Sequence, residues 1–475
     1  MTSRQQLLQQ TAAHAATFLD GLPQRPVAAR ATLAQLREAL TRELPEEGSD
    51  DARVIDELVH DSEAGILGSA GGRFFGWVIG GGIPAALAAD WLTSTWDQNA
   101  ALYACGPAEA VIEEVAGDWL KQLLRLPTEA SFAFTTGAQQ AHVTALAAAR
   151  TKVLADHGWN VERQGLMGAP ALRVFTSGHQ HASVERAIRL LGLGMDCLHA
   201  TDADECGRLD LVSLQRHLAE QDTPAIVCLQ AGEINTGAFD SFAEACRLAH
   251  DHGAWVHVDG AFGLWAGVSE RYRYLLDGVE HADSWTTDGH KWLNVPFDSG
   301  FAFVRHPDAH RTAMSTRASY LTHADDAHSG STTRPARDQI DWNPEWSRRG
   351  RAVPVYAAIR ALGRRGIADI IERCSDHAHR LATEIGALEG AELLVTPQIN
   401  QGLVRFLAAD GNHDARTEHV IEHVQRSGEA WFGATTWNGM RAMRISVVSW
   451  QTDDEDITRA ISAVRKALDG QVHEP

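Results

Sequence analysis

The chain has 475 residues, a formal net charge of -20 and 44% hydrophobic residues. That length exceeds what one hydrophobic core supports and implies two or three domains or lobes, while an acidic balance without any basic run argues against nucleic acid and anionic membrane as partners. The six cysteines are widely spaced with no CxxC pair, so neither a zinc ribbon nor a disulfide framework is indicated; no apolar run reaches membrane-spanning length and no signal core opens the chain, which makes the cytoplasm the expected location.

The first elements read as helices. Leu8, Ala12, Ala15 and Leu19 form one apolar stripe closed by Gly21, and Leu33, Leu36, Leu40 and Leu44 form a second. The stretch PEEGSDD separates helical pieces. Two helices with one apolar face each cannot bury those faces alone, so they are expected on the body of the protein or on a second subunit. Beyond them, Phe74, Phe75 and Trp77 either line an apolar substrate pocket or belong to core at a domain junction.

From about residue 110 short apolar runs alternate with amphipathic stretches. The runs are SFAFTTG (131–137), ALRVFTS (171–177), AIVCLQAG (225–232), AWVHVDGAF (254–262), ADSWTT (282–287) and GFAFVR (300–305). Strands separated by helices imply βαβ units and a mostly parallel sheet covered on both faces. In such sheets ligands bind beyond the carboxyl ends of the strands, where the informative residues also fall.

FTTGAQQAHVTAL places Thr135, Thr136 and Gly137 between a strand and a helix start. Free backbone N–H groups and the helix dipole suit a phosphate there; an ordinary turn with hydroxyl caps is the plainer alternative. SGHQHASVERA sets His179 and His181 before a helix, as a metal pair, as a ring stacked on an aromatic cofactor, or as solvated capping residues. Asp259 ends a buried run, where a carboxylate needs a cationic partner. A protonated pyridine nitrogen would serve, as would a structural salt bridge. Lys291 lies among apolar residues, which suits either an amine nucleophile toward an aldehyde or a lysine that snorkels. A phosphate site, a stacking imidazole, an aspartate for a pyridinium and a lysine for an aldehyde together match pyridoxal phosphate. A metal-dependent hydrolase built on His179, His181 and Asp259 is the competing reading.

Residues 306 to 350 are polar and weakly periodic, as a functional loop would be. After them VYAAIRALGRRG and ADIIERCSDHAHRLATEIGAL read as helices, and AELLVTP, GLVRFLAA and MRAMRISVVSW as strands of a smaller lobe. TDDEDITRAISAVRKAL reads as a closing helix with Thr452 as its N-cap.

The stretches FFGW, DWLKQLLRLP, TTGAQQA, HASVERA, GAFDSF, HVDGAFG, DGHKWLN and MRISVVSW resemble the group II pyridoxal-phosphate decarboxylases, the family of aromatic-L-amino-acid and glutamate decarboxylases. The resemblance runs from about residue 65 to the C-terminus. It implies a fold-type-I α/β enzyme. A large domain (74–350) would carry a mostly parallel seven-stranded sheet and a mobile loop at 315–345. An N-terminal helical dimerisation segment (1–73) and a small C-terminal α+β domain (351–475) would complete a homodimer with no metal. It further implies that Lys291 forms the Schiff base, Asp259 pairs with the pyridine nitrogen, and His181 stacks on the ring opposite Ala261. Gly137, Ala138, Gln139 and His290 would hold the phosphate, and Asn235 or Thr236 would approach the oxygen side of the ring. The implied reaction is decarboxylation of an L-amino acid, with an aromatic one favoured, through an external aldimine and a quinonoid.

Two departures from the family pattern bear on the outcome. Many members have Asn-Pro-His-Lys where this chain has Asp288-Gly289-His290-Lys291, so Asp288 is left out of the phosphate site. Gln339 falls where many aromatic-type members carry a loop tyrosine, which leaves Tyr320, His323 or His328 as other proton donors. Without such a donor, oxidative deamination to an aldehyde is the leading alternative, followed by a carbon–carbon lyase or an aminotransferase.

Overall fold

The structure is a computed structural model and describes residues 2–220, 223–316 and 336–470. The chain divides into two compact units. Met1–Ile79, His377–Leu394 and Leu403–Pro475 form one, and Gly80–Asp376 with Val395–Gly402 form the other. In this grouping the N-terminal segment shares a unit with the C-terminal strands.

The first unit begins with α1 (Arg4–Gly21), α2 (Leu33–Leu40) and α3 (Asp51–Ser62). Ser3 with Gln6 and Thr32 with Gln35 form reciprocal capping boxes, which start α1 and α2 by satisfying their first free N–H groups. No side chain of the three helices is buried. The apolar stripes form as expected except at Leu44, which lies past the end of α2 and is 91% exposed.

The second unit holds helices α4 (Pro84–Trp96), α5 (Pro107–Leu123), α6 (Ala138–Asp156), α7 (Val161–Gln164), α8 (Ala182–Leu190), α9 (Leu211–Ala219), α10 (Phe242–Asp251) and α11 (Pro307–Met314), and the first part of α12 (Ala352–Gly386). They surround a seven-stranded sheet of β1 (Ser131–Thr135), β2 (Arg173–Ser177), β3 (Leu198–Thr201), β4 (Ala225–Gln230), β5 (Trp255–Asp259), β6 (Ser284–Asp288) and β7 (Gly300–Val304), in the order β1-β7-β6-β5-β4-β2-β3. Only β7 runs against its neighbours. Each run expected as a strand of this sheet is one. The edge strand β3, only partly buried, carries too little apolar signal to be read from sequence. The alanine-rich α6 lies close on the sheet because small side chains permit a short helix-to-sheet distance. Ala145, Ala148 and Ala149 join Val174, Ile226, Trp255 and Val304 in one core.

Two helices were expected where α12 runs, and the reason is Gly363. Its φ of 62° interrupts the helical path, a conformation that glycine adopts without cost. The first unit is completed by a four-stranded sheet, in the order β10-β11-β9-β8, of β8 (Ala391–Val395), β9 (Gln401–Phe406), β10 (Gly433–Trp437) and β11 (Met440–Ser446), together with α13 (His413–Ser427) and α14 (Asp454–Leu468). β10 was not expected. The cap of α14 is Asp453, whose carboxylate takes the Asp456 N–H, and not Thr452, whose hydroxyl donates to Gly72 O. Phe74 and Phe75 are core of this unit, stacked on Trp431 and Phe432.

Candidate active site at the strand ends

Strand register brings the chemistry together. Gly300, the first residue of β7, lies opposite both Thr135 at the end of β1 and Asp288 at the end of β6. Asp259 at the end of β5 lies opposite Thr286 on one side and Gln230 on the other. A Cβ on Gly300 would come within 2.3 Å of Gly137 Cα, so only glycine lets the turn after β1 approach this closely. On this edge a cleft of about 410 Å³ opens, lined by Gly137, Ala138, Gln139, His181, Asp259, Ala261, His290 and Lys291 among others. A larger hollow of about 570 Å³ sits at the opposite, N-terminal end of β1, beside Arg337, and contains none of the expected site residues.

Asp259 is buried. Its Oδ1 accepts the Ala261 N–H at 3.1 Å, and its Oδ2 lies 3.4 Å from His142 Nε2. Burial pushes this carboxyl up. The neighbouring His142, with His181 and Lys291 nearby, outweighs that and holds it below the usual carboxylate range.

Lys291 follows β6 on a tight turn. Trp292 and Leu293 are fully buried and anchor that turn. Asn294 closes it with φ 52°, its side chain accepting from Gly81 N at 2.9 Å and donating to Trp292 O at 2.9 Å. The anchored turn leaves the Lys291 amine in the cleft, 6.0 Å from the Phe262 ring centroid. Its Nζ is 3.0 Å from Asp288 Oδ2.

Ala138, the first residue of α6, donates its N–H to Asp288 Oδ1 at 2.6 Å. His290 stacks on Phe297 at 4.2 Å, accepts the Ser299 N–H on Nδ1 at 3.3 Å and places Nε2 3.5 Å from Asp288. Burial lowers its proton affinity. Gln139 Nε2 donates to Ser183 O at 3.3 Å. His181 is the N-cap of α8, with Nδ1 accepting the Ser183 N–H at 3.2 Å, which leaves Nε2 as the nitrogen that bears hydrogen when the ring is neutral.

Two groups of expected residues lie off the cleft wall in this chain. Asn235 does not line the cleft. Its amide donates to Glu233 Oε1 at 2.8 Å and its backbone N–H to Glu233 Oε2 at 2.7 Å, and Gly232 and Ile234 form that wall instead. Thr236 is likewise turned to Glu233 and Cys206 O. Gln339 is fully buried on a short 3-10 turn (Gln339–Asp341) against Arg337, whose guanidinium lies 4.1 Å over the Phe132 ring. Phe132 belongs to the start of β1, so Gln339 packs near the end of that strand away from the cleft. Of the expected loop, Tyr320, His323 and His328 lie outside the described residues. His179 is not on the cleft wall, and no metal-holding group of three or more His, Cys, Asp or Glu occurs among the described residues.

Sequence reasoning missed Gln230, Arg186 and Phe262, and Asp288, left out of the phosphate site, also lines the cleft. Gln230 could have been found as the polar residue closing AIVCLQ, one strand over from Asp259. Arg186 reaches the cleft one helical turn into α8.

The cleft fits pyridoxal phosphate. An ionised carboxylate, a primary amine, a flat imidazole and a small Ala261 surround one space. The N-terminus of α6 already binds an anionic group, the Asp288 carboxylate, through Ala138.

A model of the pyridoxal-dependent decarboxylase conserved domain matches residues 34–409. The chain is 27% identical over 470 residues to aromatic-L-amino-acid decarboxylase of Bacillus atrophaeus, covering 96% of this chain and 93% of that one. It is 29% identical over 385 residues to L-2,4-diaminobutyrate decarboxylase of Rhizobium meliloti (80% and 74%), and 25% identical over 453 residues to phenylacetaldehyde synthase of Arabidopsis thaliana (90% and 89%). Its fold is that of Oryza sativa TDC, solved with PLP and tryptamine, at TM-score 0.90, 22% identity and 98% coverage of each chain. Mouse CSAD superposes at TM-score 0.88 with 23% identity, over 97% of this chain and 98% of that one.

Proposed function

The chain belongs to the pyridoxal-dependent decarboxylase family and is a pyridoxal-phosphate-dependent amino-acid carboxy-lyase, and from that premise we propose that the cleft at the ends of β5 and β6 is its active site. The observation that carries this reading is that Asp259, at the end of β5, and Lys291, on the turn after β6, open into one cleft with His181 and Ala261. Bound there, the cofactor supplies an aldehyde that condenses with amines and a pyridinium that takes up the electron pair left by carbon dioxide.

The residues have separate tasks. Lys291 is the amine that holds the cofactor and is displaced by the substrate amine. Asp259, ionised, keeps the ring nitrogen protonated. His181 covers one face of the ring and Ala261 leaves room on the other. Gly137, Ala138, Gln139 and His290 hold the phosphate. The substrate is an L-amino acid with an aromatic or bulky apolar side chain. This rests on Phe262 and Ile234 in the cleft wall and on the near full-length likeness to an aromatic-amino-acid decarboxylase, since Phe74 and Phe75 are core.

The enzyme acts as a cytoplasmic homodimer. The support is that α1, α2 and α3 bury no side chain, with Leu8 58% and Leu33 64% exposed, as for a segment that packs on a second copy. Among the described residues no helix is long and apolar enough to cross a membrane.

The test is borohydride reduction of the purified yellow protein, followed by peptide mapping and by a panel of L-amino acids with carbon dioxide, amine and aldehyde detection. An adduct on Lys291 and amine from an aromatic substrate are expected. An adduct on another lysine overturns the site, and aldehyde with peroxide in place of amine overturns simple decarboxylation.

A further inference from the structure

Behind Asp259 the core contains two histidines that the cofactor site does not use. His142 on α6 and His257 on β5 are both fully buried, with His142 Nδ1 2.9 Å from His257 Nε2. His257 Nδ1 lies 2.8 Å from Ser284 Oγ, and Ser284 Oγ accepts the Trp255 indole N–H at 2.8 Å. At the other end His142 Nε2 lies 3.4 Å from Asp259 Oδ2, a long contact outside hydrogen-bond geometry, and no other group bonds that nitrogen. Five side chains thus form one line from the interior of the sheet to the cleft.

The proton positions in that line follow from its cleft end. Asp259 is ionised and can only accept, so His142 must carry its hydrogen on Nε2. A neutral His142 then accepts on Nδ1, which requires His257 to carry its hydrogen on Nε2. His257 accepts on Nδ1, so the Ser284 hydroxyl donates to it, and the Ser284 oxygen accepts from Trp255, whose indole can only donate. Thr286 Oγ1, 3.4 Å from His142 Nδ1, is also compatible with an accepting nitrogen there. The opposite order would leave a bare ring nitrogen facing a buried carboxylate, which costs the desolvation of both.

We propose that Trp255, Ser284, His257 and His142 form a positioning relay that aims one N–H at Asp259 from inside the sheet, to be donated when the cofactor is bound, and so sets how firmly the ring nitrogen of the cofactor keeps its proton. This rests on the assignment of Asp259 to that nitrogen. Asp259 and the pyridine share one proton. An N–H given to the carboxylate lowers its affinity for that proton and leaves it on the ring, where it promotes electron uptake. The other titratable groups facing Asp259 are His181 and Lys291 on the cleft side and Cys228 on β4, whose thiol burial keeps neutral. His257 stays neutral as well: burial brings it down to about 3.

The first measurement uses holoenzyme labelled with 15N-histidine. Long-range proton–nitrogen correlation is expected to show His142 and His257 as neutral Nε2–H tautomers throughout the neutral pH range. Finding His142 as the Nδ1–H tautomer or as imidazolium overturns the relay. The second uses cofactor labelled with 15N at the ring. In His142→Phe the ring-nitrogen resonance is expected to move toward the unprotonated position, with kcat down about tenfold and KM little changed, the scale of one charge-assisted hydrogen bond. Ser284→Ala moves it less, and His142→Gln, which keeps an N–H, restores it in part. An unmoved resonance in folded, cofactor-loaded His142→Phe also overturns the relay. Should that variant fail to fold, the tautomer measurement on native enzyme decides alone. A borohydride adduct absent from Lys291 would sink the cofactor assignment and leave the tautomer result intact, so the two failures are distinguishable.

Discussion

Asp288 and Lys291 form an ion pair at 3.0 Å, and the second oxygen of the same carboxylate takes the Ala138 N–H at 2.6 Å. One side chain therefore occupies the anion position at the start of α6 and tethers the amine that the cofactor must reach. Asp288 sits where a phosphate has the best claim on the backbone. A bound phosphate displaces it or lies beside it.

Replacing Asp288 by Asn keeps an acceptor for Ala138 and removes the negative charge. Two like charges about 5 Å apart repel by about 3 kcal/mol at an effective dielectric of 20, and screening in an open cleft reduces this. Asp288→Asn is therefore expected to tighten cofactor binding about tenfold, read by equilibrium titration of the cofactor-free protein. Unchanged or weaker binding would mean that the carboxylate leaves the phosphate end altogether when the cofactor is loaded.

Lys291→Ala removes the amine without disturbing the turn, because Trp292, Leu293 and Asn294 anchor it. Turnover is expected to fall by roughly a thousandfold or more, the scale on which loss of a covalent group is felt. The variant is expected to keep its melting temperature and to lose the borohydride-fixed cofactor. Retention of the fixed adduct would place the Schiff base elsewhere.

Gln339→Tyr tests whether position 339 meets the substrate. Gln339 is fully buried beneath Arg337 and next to Asn343, whose amide donates to Gln339 O at 3.2 Å. A larger ring there overpacks the site, so the expected result is a stability loss of about 1–3 kcal/mol in urea unfolding with an unchanged ratio of amine to aldehyde. A shift of products toward amine would instead show that the 339 turn opens and reaches the cleft during turnover.

His310 predicts the acid limit of the fold. It is buried, with Nδ1 2.9 Å from Ser131 Oγ and Nε2 donating to Trp342 O at 2.9 Å. Burial, with Arg337 nearby, brings it down to about 3 from 6.5. The folded state therefore takes up its proton later than the unfolded chain. Stability is whole above pH 6.5 and declines as pH falls from 6.5 toward 3, by about tenfold in the folded-to-unfolded ratio per pH unit. His310→Gln is expected to flatten this slope by close to one proton between pH 6 and pH 4 in urea titrations. An unaltered slope would mean that His310 is accessible to protons in the native state.

The N-terminal helices predict assembly. Charges at Leu8, Leu33 and Leu58, all exposed in one chain, are expected to shift sedimentation from dimer toward monomer with concomitant loss of activity. Wild-type enzyme that sediments as a fully active monomer would remove the dimer from the proposal.

Much of this was legible in the sequence because it is local. The apolar runs of the seven-stranded sheet are continuous where both faces are buried, so six of its strands could be read directly. Edge strand β3 could not, because half-exposed strands lack that signal. The small residues beside Asp259 and Lys291 likewise read as space cleared around two functional groups. The burial of Gln339 was not legible, because a polar, weakly periodic stretch looks like a loop. That burial depends on Arg337 lying over Phe132, a contact distant along the chain.

Taken alone, the sequence determined the strand-and-helix order, the strand-end placement of Asp259 and Lys291, and the cofactor they suit. Those properties depend on residue type and on neighbours along the chain. Only the tertiary structure decided that Gly300 brings the ends of β1 and β6 together, that Asp288 occupies the N-terminus of α6, that Asn235 turns to Glu233, and that His142 on one helix meets His257 and Asp259 on one strand. Each is a pairing across the sheet or between sheet and helix. Strand order and register set such pairings, and hydrophobic periodicity records which face is buried without recording which strand comes next.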